Sequence, residues 1–137
     1  MQLRTTSQNF LIIGTIIIWT IKLLVRPFVH LDGSYQFVFG IAPNLLGSFL
    51  IPFGAYWLYT HPKFFNGILL RYYFFSDVKI VCLFGFILLV LNEYLQLIPV
   101  FGRTFDYFDI VSSAVGLFIS YYSFSFLQRK FSAIQEL

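Results

Sequence analysis

Four long apolar runs divide the chain, and the polar residues between them are too few to build anything larger than turns. A helix needs about 20 mainly apolar residues to cross the hydrocarbon core of a bilayer. Four runs meet that length, covering about Asn9 to Val25, Gln36 to Tyr59, Val78 to Leu97 and Phe108 to Gln128. No charge falls between Arg4 and Lys22, none from Gly33 to Thr60, and none in the fourth run after Asp109, while the third run carries Glu93 near its far end. The pattern predicts an all-α membrane protein of four transmembrane helices with short loops, forming a single domain over residues 1–137. Strands fit less well, because the strict in/out alternation of a membrane barrel is missing. The first run resembles a signal peptide, but no small-x-small cleavage site follows Trp19 and three more spans come after it, so it reads as a retained anchor.

Composition agrees with this reading. Hydrophobic residues make up 58% of the chain and charged residues 11%, with mean hydropathy +0.79, against about 25% charged residues in soluble domains. So little charge cannot coat a soluble globule, and it excludes a disordered chain. It also argues against a nucleic-acid partner despite a pI near 9.1. Cys82 is the single cysteine, which rules out an internal disulfide.

The nine Lys and Arg residues are unevenly placed. With both termini inside, Arg4, Lys63, Arg71, Lys79, Arg129 and Lys130 face the cytoplasm, and Lys22, Arg26 and Arg103 face out. This bias favours an N-in, C-in topology. Aromatic residues crowd the span ends, and the run Arg71 to Phe75 reads as a short interfacial piece.

Helices in lipid associate through close packing and polar contacts, so small residues mark contact faces. Ser112, Gly116 and Ser120 repeat at spacing four on the fourth span, and Gly40, Asn44, Gly47 and Gly54 share one face of the second. The two faces are expected to meet, and packing is their ordinary role. Pro43 and Pro52 each remove a backbone donor, which predicts a kink or break in the second span.

The candidate chemistry gathers around the last hairpin. Glu93 and Gln96 share a helical face at the end of the third span, and Pro99 and Gly102 supply a turn. Arg103, Asp106 and Asp109 follow at spacing three into the fourth span. Charged groups inside a span cost about 2.5–3.5 kcal/mol each on insertion scales, so they are rarely idle. Two readings stand side by side. In the structural one the aspartates favour the positive end of helix four and Glu93 pairs with Arg103 to close the hairpin. In the functional one the cluster is an outward-facing site for an anionic group.

The order Glu93-x-x-Gln96, then Gly102-Arg103, then Asp106-x-x-Asp109 and Gly116 resembles the VanZ-like family of small bacterial membrane proteins. The runs Pro43 to Gly47 and Ile51 to Gly54 resemble that family's second-span pattern. Ser113 departs from it, standing where the family often has asparagine. The resemblance covers roughly the last two-thirds of the chain. It implies a bacterial plasma (inner) membrane location and a cell-envelope role linked to resistance to the glycopeptide teicoplanin. It implies no particular reaction.

Other chemistry is sparse. His30 and Asp32 fall in the first loop and His61 in the second, on opposite sides of the membrane, so no zinc-site spacing arises and neither metal nor cofactor is predicted. Nucleophile elbows and phosphate-cradling loops are absent. Three functions remain open: an envelope protein binding an anionic lipid or cell-wall precursor group through Glu93, Gln96, Arg103, Asp106 and Asp109; a membrane-boundary enzyme using Glu93 or Asp109 as acid/base; and a small accessory subunit of a larger membrane complex or homo-oligomer. Membrane lipids are partners in all three.

Overall fold

The computed structural model of the chain describes residues 2–28, 33–60, 77–96 and 106–135, and every one of these except Asp77, Gln96 and Asp106 is helical. Helix α1 (Gln2–Thr20) continues through a π-helical turn, Ile21–Val25, and a last helical turn, Arg26–Phe28; α2 is Gly33–Thr60, α3 Val78–Leu95 and α4 Tyr107–Gln135. All four are long and apolar enough to cross a membrane. The chain is a multi-pass, all-α membrane protein. His30, Asp32, His61, Lys63, Arg71 to Phe75, Pro99, Gly102 and Arg103 lie outside the described residues.

The helices outrun the apolar segments furthest at the two termini of the bundle. α1 begins at Gln2, ahead of the apolar run, and α4 passes Gln128 to reach Gln135. Backbone hydrogen bonding inside a helix does not depend on apolar side chains, so a span can carry its polar turns out into the headgroup region. α3 and α4 both begin on an aspartate. Asp77 Oδ1 accepts from the Lys79 N–H and Asp106 Oδ1 from the Phe108 N–H, each at 2.9 Å; such N-caps are worth about 1 kcal/mol.

α2 is the centre of the bundle, packing on α4 most extensively, then on α1 and α3. Of the kink or break expected from sequence, the break does not occur: one helix runs through both Pro43 and Pro52. Neighbouring side chains donate to carbonyls beside the prolines. Arg26 bonds the Phe39 and Gly40 carbonyls, and the Ser120 hydroxyl donates to the Phe49 carbonyl. Donors from adjacent helices are what make proline tolerable inside a span.

Each flanking helix presents a glycine to α2. A Cβ on Gly14 of α1 would stand 2.7 Å from Leu50 Cδ1, and one on Gly85 of α3 would stand 2.9 Å from Ile51 Cγ2. On Gly116 of α4 it would collide with the Ser48 hydroxyl and the Leu45 carbonyl. Knobs on the central helix thus enter holes on its neighbours. Along the fourth-span stripe, Ser112 and Gly116 are buried and Ser120 is wholly so. The face of α2 that receives it is Leu45, Ser48 and Phe49. Among the described residues Gly40 and Gly47 have nothing within 4 Å of a built Cβ, and Gly54 meets Leu11 of α1 instead. Gly47 precedes Leu50 by three and Ile51 by four, so it lies between the directions of α1 and α3. Half-buried Asn44 belongs to the same side.

Consecutive helices run antiparallel, which gives the bundle two ends. At the termini end, Leu3, Phe53 and Phe124 form a core surrounded by Leu11, Phe49, Tyr56, Val78, Leu127 and Phe131. The polarity of the interior is characteristic of a membrane protein. Buried serines (Ser7, Ser48, Ser112, Ser113, Ser120) stand beside buried Leu and Phe, while Ile13, Leu88 and Phe118 are 58%, 64% and 64% exposed.

Candidate functional site

The loop end of the bundle carries the residues singled out from sequence. α3 turns one stripe inward, Val81, Gly85 and Glu93 at multiples of four, and Glu93 is only 7% exposed. Its carboxyl group therefore sits within the bundle, near the helix's C-terminal end, where the dipole offers an anion no stabilisation. Gln96 closes α3: its backbone N–H donates to the Glu93 carbonyl at 3.1 Å, and its side chain is half-buried.

Across the hairpin, Asp106 is exposed and one carboxylate oxygen is taken up in capping α4; its carbonyl accepts from the Asp109 N–H at 3.2 Å. Asp109 lies in the first turn of α4, half-buried, where exposed N–H groups favour a negative charge. Its carbonyl accepts from the Ser112 hydroxyl at 3.0 Å. Glu93, Gln96, Asp106 and Asp109 are thus all at one end, on two helices that pack together. Glu93 is turned to the interior, Asp109 is poised between interior and surface, and Asp106 is a helix cap. Ser113, at the position of the family's asparagine, is 4% exposed.

A second polar assembly at this end was not anticipated from the sequence, where Arg26 entered only as a loop charge. Pro43 has no N–H, so the carbonyl four residues back, Phe39, has no helical donor. Arg26 fills the gap: its Nε and Nη2 both reach the Phe39 oxygen at 3.2 Å, and Nη2 also bonds the Gly40 oxygen. The π turn makes this possible. The Arg26 N–H bonds the Ile21 carbonyl, five residues back, so Arg26 rather than Val25 stacks over buried Ile21, on the stripe of Leu3, Ser7 and Gly14 that faces the bundle. A proline inside a span, with an arginine near the end of the preceding one, is the signal a sequence offers for such a clamp.

The two assemblies occupy different sides of α2. Phe108 of α4 meets the Phe37 ring edge-on, with centroids 5.2 Å apart, whereas Arg26 arrives from α1. Phe37 and Phe39 point about 200° apart round the helix.

A cavity of about 220 Å³ opens at the termini end, lined by Pro52, Tyr56, Tyr59, Val78, Val81, Phe124 and Gln128. Among the described residues its polar side chains are two phenols and an amide, with no carboxylate. Cys82 is a half-buried free thiol on α3. Among the described residues no three His, Cys, Asp or Glu side chains gather as a metal site would require. Compared with known proteins, the chain matches no family model, no curated protein and no solved structure.

Proposed function

We propose that the chain is a VanZ-like protein of the bacterial plasma membrane, oriented with both termini in the cytoplasm, that binds an anionic group of an envelope lipid or cell-wall precursor at the cluster of Glu93, Gln96, Arg103, Asp106 and Asp109. A part in glycopeptide (teicoplanin) resistance follows from the same resemblance. The observation that carries the reading is the burial of Glu93. A carboxyl group drawn into a span costs free energy, and this one lies at the same end of the bundle as the α4 N-terminus, which holds half-buried Asp109. Arg103 would meet the anion through its two-pronged guanidinium, with the positive end of α4 adding its dipole, and the acids and amide would orient it.

Arg103→Lys tests this. It keeps the charge but loses the bidentate fork, and we expect about tenfold weaker binding of a lipid phosphate or a peptide carboxylate, equivalent to about 1.4 kcal/mol. Titrating the purified chain with phosphatidylglycerol and with a short peptide would show it; unchanged affinity for both ends the proposal. Labelling a single cysteine at position 102 in intact cells checks the orientation, because an impermeant reagent reaches it only if the hairpin faces out.

One observation favours a second reading, the accessory subunit. Among the described residues nothing stands within 4 Å of a Cβ built on Gly40 or Gly47 of α2, and small residues on an open face suit the approach of a foreign helix. Under this reading Gly47→Ala weakens cross-linking to a partner in native membranes.

A further inference from the structure

The Arg26 clamp has a property that stabilising a proline does not require. Both acceptors of the guanidinium are neutral carbonyls, so its full positive charge survives the interaction. Arg26 pairs with no carboxylate among the described residues, Nη1 takes no part in the bonds to α2, and the side chain is exposed. It belongs to the last turn of the span Gln2–Phe28, the depth at which arginine reaches the headgroup layer. A free arginine there loses rotamer freedom on capturing an anion. Here the π turn fixes where the side chain starts and the Phe39 and Gly40 carbonyls fix where it ends, so that cost is met in folding.

We propose that Arg26 is a pre-organised phosphate site, taking the phosphodiester of a lipid from the leaflet at the loop end through the guanidinium donors left over from α2. The site does not use Arg103 and lies on the other side of α2, so it stands apart from the function proposed above. Phosphate chemistry can be supplied by a lipid or by a free ion, and the span-end position favours the lipid.

Native mass spectrometry of the full chain, released from detergent with phosphatidylglycerol, counts the lipids retained. Diacylglycerol, which lacks the phosphate, serves as the control, and inorganic phosphate as the competitor. Arg26→Lys is expected to lower retention of one lipid about tenfold, through loss of the fork. Pro43→Ala keeps the arginine but returns an N–H to the Phe39 carbonyl, releasing the guanidinium from its clamp; we expect about threefold lower retention, because pre-organisation is lost. Should Arg26→Lys fail to fold by circular dichroism, Pro43→Ala decides alone. Retention unchanged in Pro43→Ala, equal retention of diacylglycerol, or displacement of the lipid by inorganic phosphate overturns the proposal. A lipid lost in Arg26→Lys and none in Arg103→Lys supports the clamp and counts against the hairpin site; the converse counts against the clamp.

Discussion

At the termini end of the bundle, Phe53 is fully buried and Phe124 nearly so. Their rings meet at 5.4 Å, and Phe10, Phe49 and Tyr56 pack around them. At the loop end, Phe28, Tyr107 and Phe108 are 76%, 73% and 57% exposed, and beside the single Phe37–Phe108 ring contact described there stand hydrogen bonds and caps: Arg26 on two carbonyls, Asp106 on an N–H, Ser112 on Asp109. Lipid tails are as apolar as leucine, so no hydrophobic drive closes either end. The termini end is held by fit. The loop end is held by directed polar contacts, and it also carries charge that those contacts leave available. Changes at the first should therefore act on stability, and changes at the second on binding.

The largest expected effect is on fit. Gly116→Val puts a branched side chain where even a Cβ collides with Ser48 and the Leu45 backbone. Because the obstacle includes main chain, α2 and α4 must separate, and we expect a loss of about 3 kcal/mol or failure to fold. Thermal unfolding in detergent micelles measures it, and a melting point equal to the parent's would mean that the close approach does not hold the bundle together.

A smaller effect sharpens the account of the aromatic core. Phe→Ala in a soluble core costs about 3–5 kcal/mol, part of it transfer of apolar surface from water. In a bilayer that part is missing and only lost contacts remain, so Phe53→Ala should cost about 2 kcal/mol. A measured loss in the soluble range would show that this end is closed against water rather than lipid.

The sequence makes some of this architecture plain and hides the rest for physical reasons. Spans are legible because a bilayer demands unbroken apolar length, and Asp109 marks the start of the fourth as clearly as any cap. The Ser112, Gly116, Ser120 stripe is legible because four-residue spacing puts its members on one face. Which face of α2 receives it is not. Gly40, Asn44, Gly47 and Gly54 have the right spacing, but one glycine on α4 already allows the approach, and α2 needs only a small Ser48 and an accessible carbonyl opposite. The Arg26 clamp is hidden more deeply. It depends on one extra residue in a π turn, which shifts register without leaving any mark in composition. At the hairpin, Asp106 shows how one residue type serves two readings: its position fits a binding cluster and a helix cap equally, and the cap occupies one of its oxygens.

The smallest expected effect probes Gly47, on the more open side of α2. Gly47 is glycine where the packing among the described residues requires none: a Cβ there meets nothing of them within 4 Å, though Gly116, on the helix that α2 packs against most, cannot accept one. Gly47→Ala should therefore change the stability of the isolated chain by no more than about 0.5 kcal/mol, in contrast to any substitution at Gly116. The same variant separates two accounts of the open face. Lipid chains adapt to a single methyl group, so a face that meets only lipid leaves behaviour in native membranes unaltered. A partner helix packed on Gly40, Asn44 and Gly47 would be pushed outward, and cross-linking to it would fall while the melting point of the purified chain held steady. If the melting point itself drops, Gly47 is packed against its own chain more closely than α1 and α3 now place it, and the division between a central helix and three glycine-bearing neighbours would have to be redrawn.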